Sequence, residues 1–216
     1  MSDTTRQLAL PGLALEPEPI AEAPKPTKPA RKFGGLPDNV FFALTLDASV
    51  AYEVRQHALR LQTKHGLKSW PRPKSLLHVS LCALGEYNGL PQRLVENATE
   101  AASSVALGPF EVEFDRVTSF RTCLVLAGED GVGGIRELER ALGDALEKGK
   151  VREQSRHFIP HITLMYDRTV VPTERLRQPV RWQVHEFVLI HSLVGQSRHV
   201  VLRRFPLEGR AREFAP

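Results

Sequence analysis

The 216-residue chain contains no apolar run near the roughly 18 residues that a membrane-spanning helix requires. Its first residues, "MSDTTRQLAL", lack the basic start, apolar stretch and small-residue cleavage site of an export signal, so a cytoplasmic location is expected. Cysteine is scarce. Cys82 and Cys123 lie in separate apolar, strand-like runs with no metal-site spacing, and they read as buried free thiols of a reducing compartment. A Gly-rich phosphate loop is missing too: "GEDGVGGI" (128–135) carries four glycines but neither a Lys-Ser/Thr ending nor the ordered spacing of a dinucleotide turn. It reads as a flexible connection. Lysine is absent from residues 168–216, which hold nine arginines and only four acids.

What is present describes a globular chain, 42% hydrophobic and 25% charged, with a mean hydropathy of −0.24. The length suits one domain or two small lobes. Net charge is +4, with a sequence pI near 9.3. Arginine presents a planar fork that matches phosphate oxygens, so the Arg-biased end fits a phosphorylated or nucleic-acid partner. It fits a solvated surface equally well, and charge alone leaves both open.

Residues 1–37 hold seven of the sixteen prolines and almost no apolar periodicity, which predicts a disordered Pro/Ala-rich tail ahead of a folded domain over 38–216. From there the pattern alternates between two periods. "FFALTL" (41–46) reads as a strand; residues 47–66 read as a helix capped by Asp47, striped by Val50, Val54, Ala58 and Leu61, and stopped at Gly66. A proline-broken loop, "WPRPKS", leads to a buried strand, "LLHVSLCALG" (76–85). A helix over 90–106 follows. In "FEVEFDRVTSF" (110–120), Phe110, Val112 and Phe114 face inward while Glu111, Glu113 and Asp115 face out. "CLVLAG" (123–128), a helix over 134–149, and strands over 161–167, 182–194 and 199–207 complete an α+β order.

Two pentamers stand out, "LHVSL" (77–81) and "PHITL" (160–164). In each, a His and a hydroxyl residue two positions on share one face of an apolar strand: His78 with Ser80, His161 with Thr163. A buried imidazole without a partner costs a few kcal/mol, so a repeated pair asks for a joint explanation. Two such strands facing one groove bring together two imidazoles and two hydroxyls. One imidazole can take a proton from an attacking oxygen and the other can protonate a departing one. The hydroxyls can hydrogen-bond phosphate oxygens as charge builds on phosphorus.

The paired motif resembles the two H-x-T/S motifs of the 2H phosphoesterases, and especially their 2′-5′ RNA ligase or RNA 2′,3′-cyclic phosphodiesterase (LigT-like) branch. "VFFALTLDASVAYEVRQHALRL" is similar to that branch's opening strand and helix, and "WPRPKSLLHVSLCALGEY" to its first motif. "FIPHITLMY" is similar to the second, and "FVLIHSLVGQSRHVVLRRFPL" to its closing strand pair. The resemblance spans about residues 40–207. It implies a bilobal α+β fold: two pseudo-symmetric lobes, each with an antiparallel sheet and outer helices, one motif per lobe facing a central cleft. It also implies acid/base roles for His78 and His161, phosphate-contacting roles for Ser80 and Thr163, and no metal or cofactor. Ser80 stands where threonine is usual. Tyr166 stands where a basic residue often follows the second motif, with Arg168 two positions on, and both become candidate substrate contacts.

Phe120 and Arg121 occupy a position that the resemblance places near the cleft mouth, to stack on a base and meet a phosphate, or else they form a plain turn. His157 and His161 have the i, i+4 spacing of helical metal ligands, but Pro160 between them forbids a regular helix. His185, His191 and His199 in the closing strands read as structural or exposed. The expectation is a monomeric, metal-independent enzyme that hydrolyses 2′,3′-cyclic phosphates of RNA ends or small nucleotides. Run in reverse with an RNA 5′-hydroxyl as nucleophile, the same chemistry makes a 2′-5′ linkage. The alternative is a nucleotide- or RNA-binding module of the same fold without turnover.

Overall fold

The structure, a computed structural model, describes residues 37–152 and 158–209. The expected tail over residues 1–37, except its last residue, lies outside these, as does His157. Strand β1 (Asp38–Thr45) leads to α1 (Ala48–His65), a short 3-10 turn (Lys74–Leu76) and β2 (His78–Tyr87). Then come α2 (Gln92–Ala102), β3 (Phe110–Ser119), β4 (Leu124–Ala127) and α3 (Gly133–Lys148). Four strands close the order: β5 (His161–Met165), β6 (Glu174–Val184), β7 (Glu186–Leu193) and β8 (Arg198–Pro206). No described helix is long and apolar enough to cross a membrane.

All eight strands pair antiparallel in one sheet of order β6-β3-β4-β5-β2-β1-β7-β8. The sheet divides by pairing into two four-stranded halves. They meet at the single pair Val79↔Ile162 between β2 and β5. Each half supplies one of the two histidine motifs. The helices do not stay with the half they leave: α1 follows β1 yet packs on β5 and β6, and α3 follows β4 yet packs on β2, β3 and α2. These crossings hold the halves together where the backbone ladder is thinnest.

One face of the sheet carries the main core. The α1 stripe Val50, Val54, Ala58 and Leu61 is buried as its spacing predicts, and so are Phe110, Val112 and Phe114 on β3. Asp47 occupies the N-cap with extended backbone but no side-chain cap bond, and Gly66 takes the left-handed C-cap conformation at φ 61°. Phe42 packs against both Phe187 and Phe205, at ring-centroid distances of 6.1 and 5.8 Å, and those two rings stack on each other at 4.8 Å. Phe114 stacks on Trp182 at 5.5 Å. The other face has two small apolar clusters, one per half: Ala43, Val188 and Ile190 with Phe41, and Cys123, Val125 and Ala127 with Phe120. Both cysteines are buried.

Two expectations are corrected. Residues 182–194 are not one strand: the backbone breaks at His185, and the first part belongs to β6, which reaches back to Glu174. β6 is an edge strand whose Arg175 and Arg177 face solvent, with Pro179 beside an irregular stretch of its register. Pro and charge are tolerated there because one side of the strand needs no partner, and they hide its strand character. Arg198, Arg203 and Arg204 likewise lie on the other edge strand, β8, so most of the Arg bias belongs to the sheet margins.

The glycine-rich stretch 128–135 is not a flexible connection. A Cβ on Gly131 would stand 2.4 Å from that of Glu113, and one on Gly134 would stand 2.3 Å from the Phe110 ring. These glycines allow the entry to α3 to lie directly on β3, where the Glu113 N–H donates to Gly131 O at 2.8 Å.

Phe42 is fully buried in the main core. Phe42→Ala should therefore cost about 3–5 kcal/mol of unfolding free energy, read from denaturant titrations with an unchanged slope.

Candidate active site

His78 and His161 begin β2 and β5, the two strands at the junction of the halves. Each imidazole is fixed in the same way. His78 Nδ1 donates to the Leu76 carbonyl at 2.8 Å, and His161 Nδ1 donates to the Ile159 carbonyl at 2.7 Å. The bond orients the ring and assigns the neutral tautomer, leaving Nε2 as the working nitrogen. Each ring also leans on a phenylalanine from the neighbouring strand or turn: Phe41 lies 5.1 Å from His78, and Phe120 lies 5.0 Å from His161. The small apolar clusters on this face are the backing of the two histidines.

Both histidines line a cleft of about 690 Å³. Ser80 lines it too, and its hydroxyl lies 3.1 Å from His78 Nε2. Thr163 differs. It shares the strand face of His161, but its side chain bonds to Cys123 and does not line the cleft. Tyr166 lines the cleft and is 60% exposed, which places it at the mouth. Phe120 is brought to the site only through its contact with His161. Arg121 is exposed in the turn closed by the Phe120 N–H to Cys123 O bond, and Arg168 is exposed beyond Asp167; neither lines the cleft. His185 is exposed at the β6–β7 break, and His191 pairs with Asp38 at 3.0 Å.

Two cleft residues escaped the sequence reading. His199, read as structural or exposed, lies edge-on to His78 with ring centroids 5.0 Å apart and 5.7 Å from Phe41. β8 reaches the 3-10 turn before β2, which carries His199 over the first motif. Arg72, in the proline loop, also lines the cleft; its guanidinium lies over the Tyr166 ring at 5.3 Å, and its Nε is buried with no partner. The only signal for Arg72 was its place between two prolines, and for His199 its alternation on β8. Neither says which way the sheet curls.

Burial pushes the His78 imidazole down to about 3, with His199, Arg72 and His161 adding repulsion against the Leu76 bond. Burial and Arg72 lower His199 to about 4. His78 is therefore neutral throughout the physiological range. No group of three or more His, Cys, Asp or Glu residues able to hold a metal occurs among the described residues.

Comparison with known proteins fits this arrangement. Residues 48–196 match the family model described as the 2′-5′ RNA ligase superfamily. The chain belongs to this superfamily. It is a LigT-like 2H phosphoesterase by family, and its helices and antiparallel sheet have the LigT fold. Escherichia coli LigT complexed with 3′-AMP superposes with a TM-score of 0.66 and 23% identity, over 79% of this chain and 98% of that one. The Thermus thermophilus protein TT0787 gives a TM-score of 0.65 and 22% identity, over 79% and 98%. Escherichia coli LigT complexed with NADP+ gives 0.64 and 23%, over 80% and 98%. No curated protein matches the sequence.

Two of the three cleft imidazoles, those of His78 and His199, carry a stability consequence. A histidine whose folded pKa is depressed binds no proton in the native state where the unfolded chain does. The unfolded state is then favoured as pH falls from about 6.5 toward the folded values of about 4 for His199 and about 3 for His78. Unfolding free energy should decline over that window, and the slope should shrink in His78→Gln and His199→Gln proteins. An unchanged slope in both variants would mean these rings titrate normally.

Proposed function

We propose that the protein is a metal-independent phosphodiesterase that opens 2′,3′-cyclic phosphates at RNA ends or on small nucleotides. The observation that carries this reading is the matched pair of imidazoles, each tied through Nδ1 to a carbonyl two residues before it, with Nε2 left for the same cleft. Membership of the 2′-5′ RNA ligase superfamily points to the same chemistry. The solved LigT complexes with 3′-AMP, ATP and NADP+ are consistent with a nucleotide in such a cleft.

In the proposed reaction, water attacks phosphorus in line with the departing ribose oxygen. His78, neutral at working pH, accepts the water proton on Nε2 as negative charge develops on the phosphorane and raises the ring's proton affinity. His161 gives a proton from Nε2 to the leaving oxygen. The P–O bond to water forms, the ring P–O bond breaks, and a phosphomonoester with a free ribose hydroxyl results. Ser80 rests its proton on His78 Nε2, and a nonbridging phosphate oxygen takes that hydrogen bond when substrate enters. Thr163 plays the matching part after turning from Cys123. Arg72, with one guanidinium N–H unpartnered, faces the charge that builds on phosphorus. With an RNA 5′-hydroxyl in place of water as nucleophile, the same ring opening releases the 3′ oxygen and forms a 2′-5′ linkage.

His78→Ala and His161→Ala should each lower kcat on a 2′,3′-cyclic nucleotide by about 10²–10⁴, the scale of one general acid or base. His185→Ala, at an exposed position outside the cleft, should leave turnover within about twofold. Circular dichroism checks that each variant is folded. Near-normal turnover in folded His161→Ala would sink the enzyme reading.

A further inference from the structure

The loop that precedes the first motif is unusually well anchored for one that presents a bare indole. Lys68 and Ser69 N–H groups donate to Asp167 Oδ2, each at 3.0 Å, and Gln62 donates to Ser69 O at 2.9 Å. Arg55 on α1 donates to the carbonyls of Pro71 and Arg72, at 3.1 and 2.8 Å. The Arg72 N–H reaches Leu164 O at 2.8 Å. Pro71 and Leu67 are buried beneath. Between these anchors stands Trp70, 77% exposed, with no ring contact of its own among the described residues. An apolar ring of that size left in water gains nothing for the fold, and the rigid backbone under it gives it a fixed address.

Its surroundings define what it would meet. Bonds on either side of Trp70 run to Asp167 and Leu164, so the loop lies alongside the end of β5 and next to Tyr166, the exposed residue at the cleft mouth. Arg72 covers one face of Tyr166 from inside the cleft. Lys68 and Arg168 are exposed on the same margin, and no carboxylate among the described residues forms an ion pair with them; Lys74, also exposed, lies over the Tyr52 ring at 5.6 Å. The nearest acid, Asp167, is occupied by the backbone N–H groups of Lys68, Ser69 and Thr169. Flat aromatic faces interleaved with cations that no carboxylate neutralises are the recognition chemistry of single-stranded nucleic acid: bases stack and phosphates meet the charges.

We propose that Trp70 and Tyr166 form a stacking ledge outside the cleft that receives the bases of a single-stranded RNA lying 5′ to the end held between His78 and His161. The proposal rests on the phosphodiesterase reading and narrows it, because the ledge is reached only by an oligomer. A mononucleotide ends inside the cleft and leaves Trp70 bare. The preferred substrate is then an RNA of at least two or three nucleotides, with Lys68, Lys74 and Arg168 following its backbone and little base selectivity, since every base offers a π face.

Two measurements separate this proposal from the activity beneath it. The first compares kcat/KM for a hexaribonucleotide ending in a 2′,3′-cyclic phosphate with that for a cyclic mononucleotide. Trp70→Ala should lose about 5- to 100-fold on the hexamer, mostly in KM, with the mononucleotide unaffected and Trp70→Phe recovering much of the loss. Equal losses on both substrates, or none on the hexamer, would overturn the ledge. The second needs no turnover. Of the two tryptophans, Trp182 is buried against Phe114, so quenching of indole fluorescence by a 3′-phosphorylated RNA hexamer reports on Trp70. Quenching by the hexamer, absent with a 3′-phosphorylated mononucleotide and lost in Trp70→Phe, supports the ledge even if wild type turns over neither substrate. Without hexamer quenching the exposed indole serves another partner, such as a protein, and the proposal fails.

Discussion

The site depends on one backbone pairing. Val79 opposite Ile162 is the only ladder contact between β2 and β5, and both side chains are fully buried on the core face. Because side chains alternate along a strand, burying this pair turns the residues on either side of it to the other face. The antiparallel register then sets Ser80 opposite His161 and His78 opposite Thr163. The two imidazoles become diagonal neighbours, a relation that spans about 7–8 Å across the strands and somewhat less between Cβ atoms. A slip of one residue in either strand would turn its His into the core.

The same constraint explains the chemistry of the rings. Each imidazole sits at the start of its strand, where a carbonyl two residues earlier accepts from Nδ1. Phe41 and Phe120 back the rings from their own halves. The halves are not equivalent, however. Burial holds His78 neutral, with repulsion from His199 and Arg72 added to it, and Ser80 bonds to it directly, while Thr163 turns to Cys123. In the proposed reaction, such an asymmetric pair suits acid/base catalysis in one direction.

Much of this was legible in the chain because it is local. The α1 stripe, the alternation on β3 and the H-x-S/T pairs on apolar strands all follow from spacing within a few residues, and the structure places them as read. The misses are long-range or masked by polarity. β6 carries edge-strand arginines and Pro179, which conceal its alternation. Gly131 and Gly134 look like flexibility until Glu113 and Phe110 are seen to fill the space above them. His199 and Arg72 reach the cleft through the path of β8 and the anchoring of the proline loop, and neither leaves a periodic trace. The substrate contacts expected at Arg121 and Arg168 lie outside the cleft, because turn residues there point to solvent.

The central claim is that the two imidazoles act as one unit across the β2–β5 pair, and a double-mutant cycle on kcat tests it most directly. If both proton transfers belong to one transition state, His78→Ala combined with His161→Ala should be within about tenfold of the worse single variant, because the second loss removes a partner already idle. Losses that multiply in the double variant would contradict the account, since they would mean that the two histidines contribute independently.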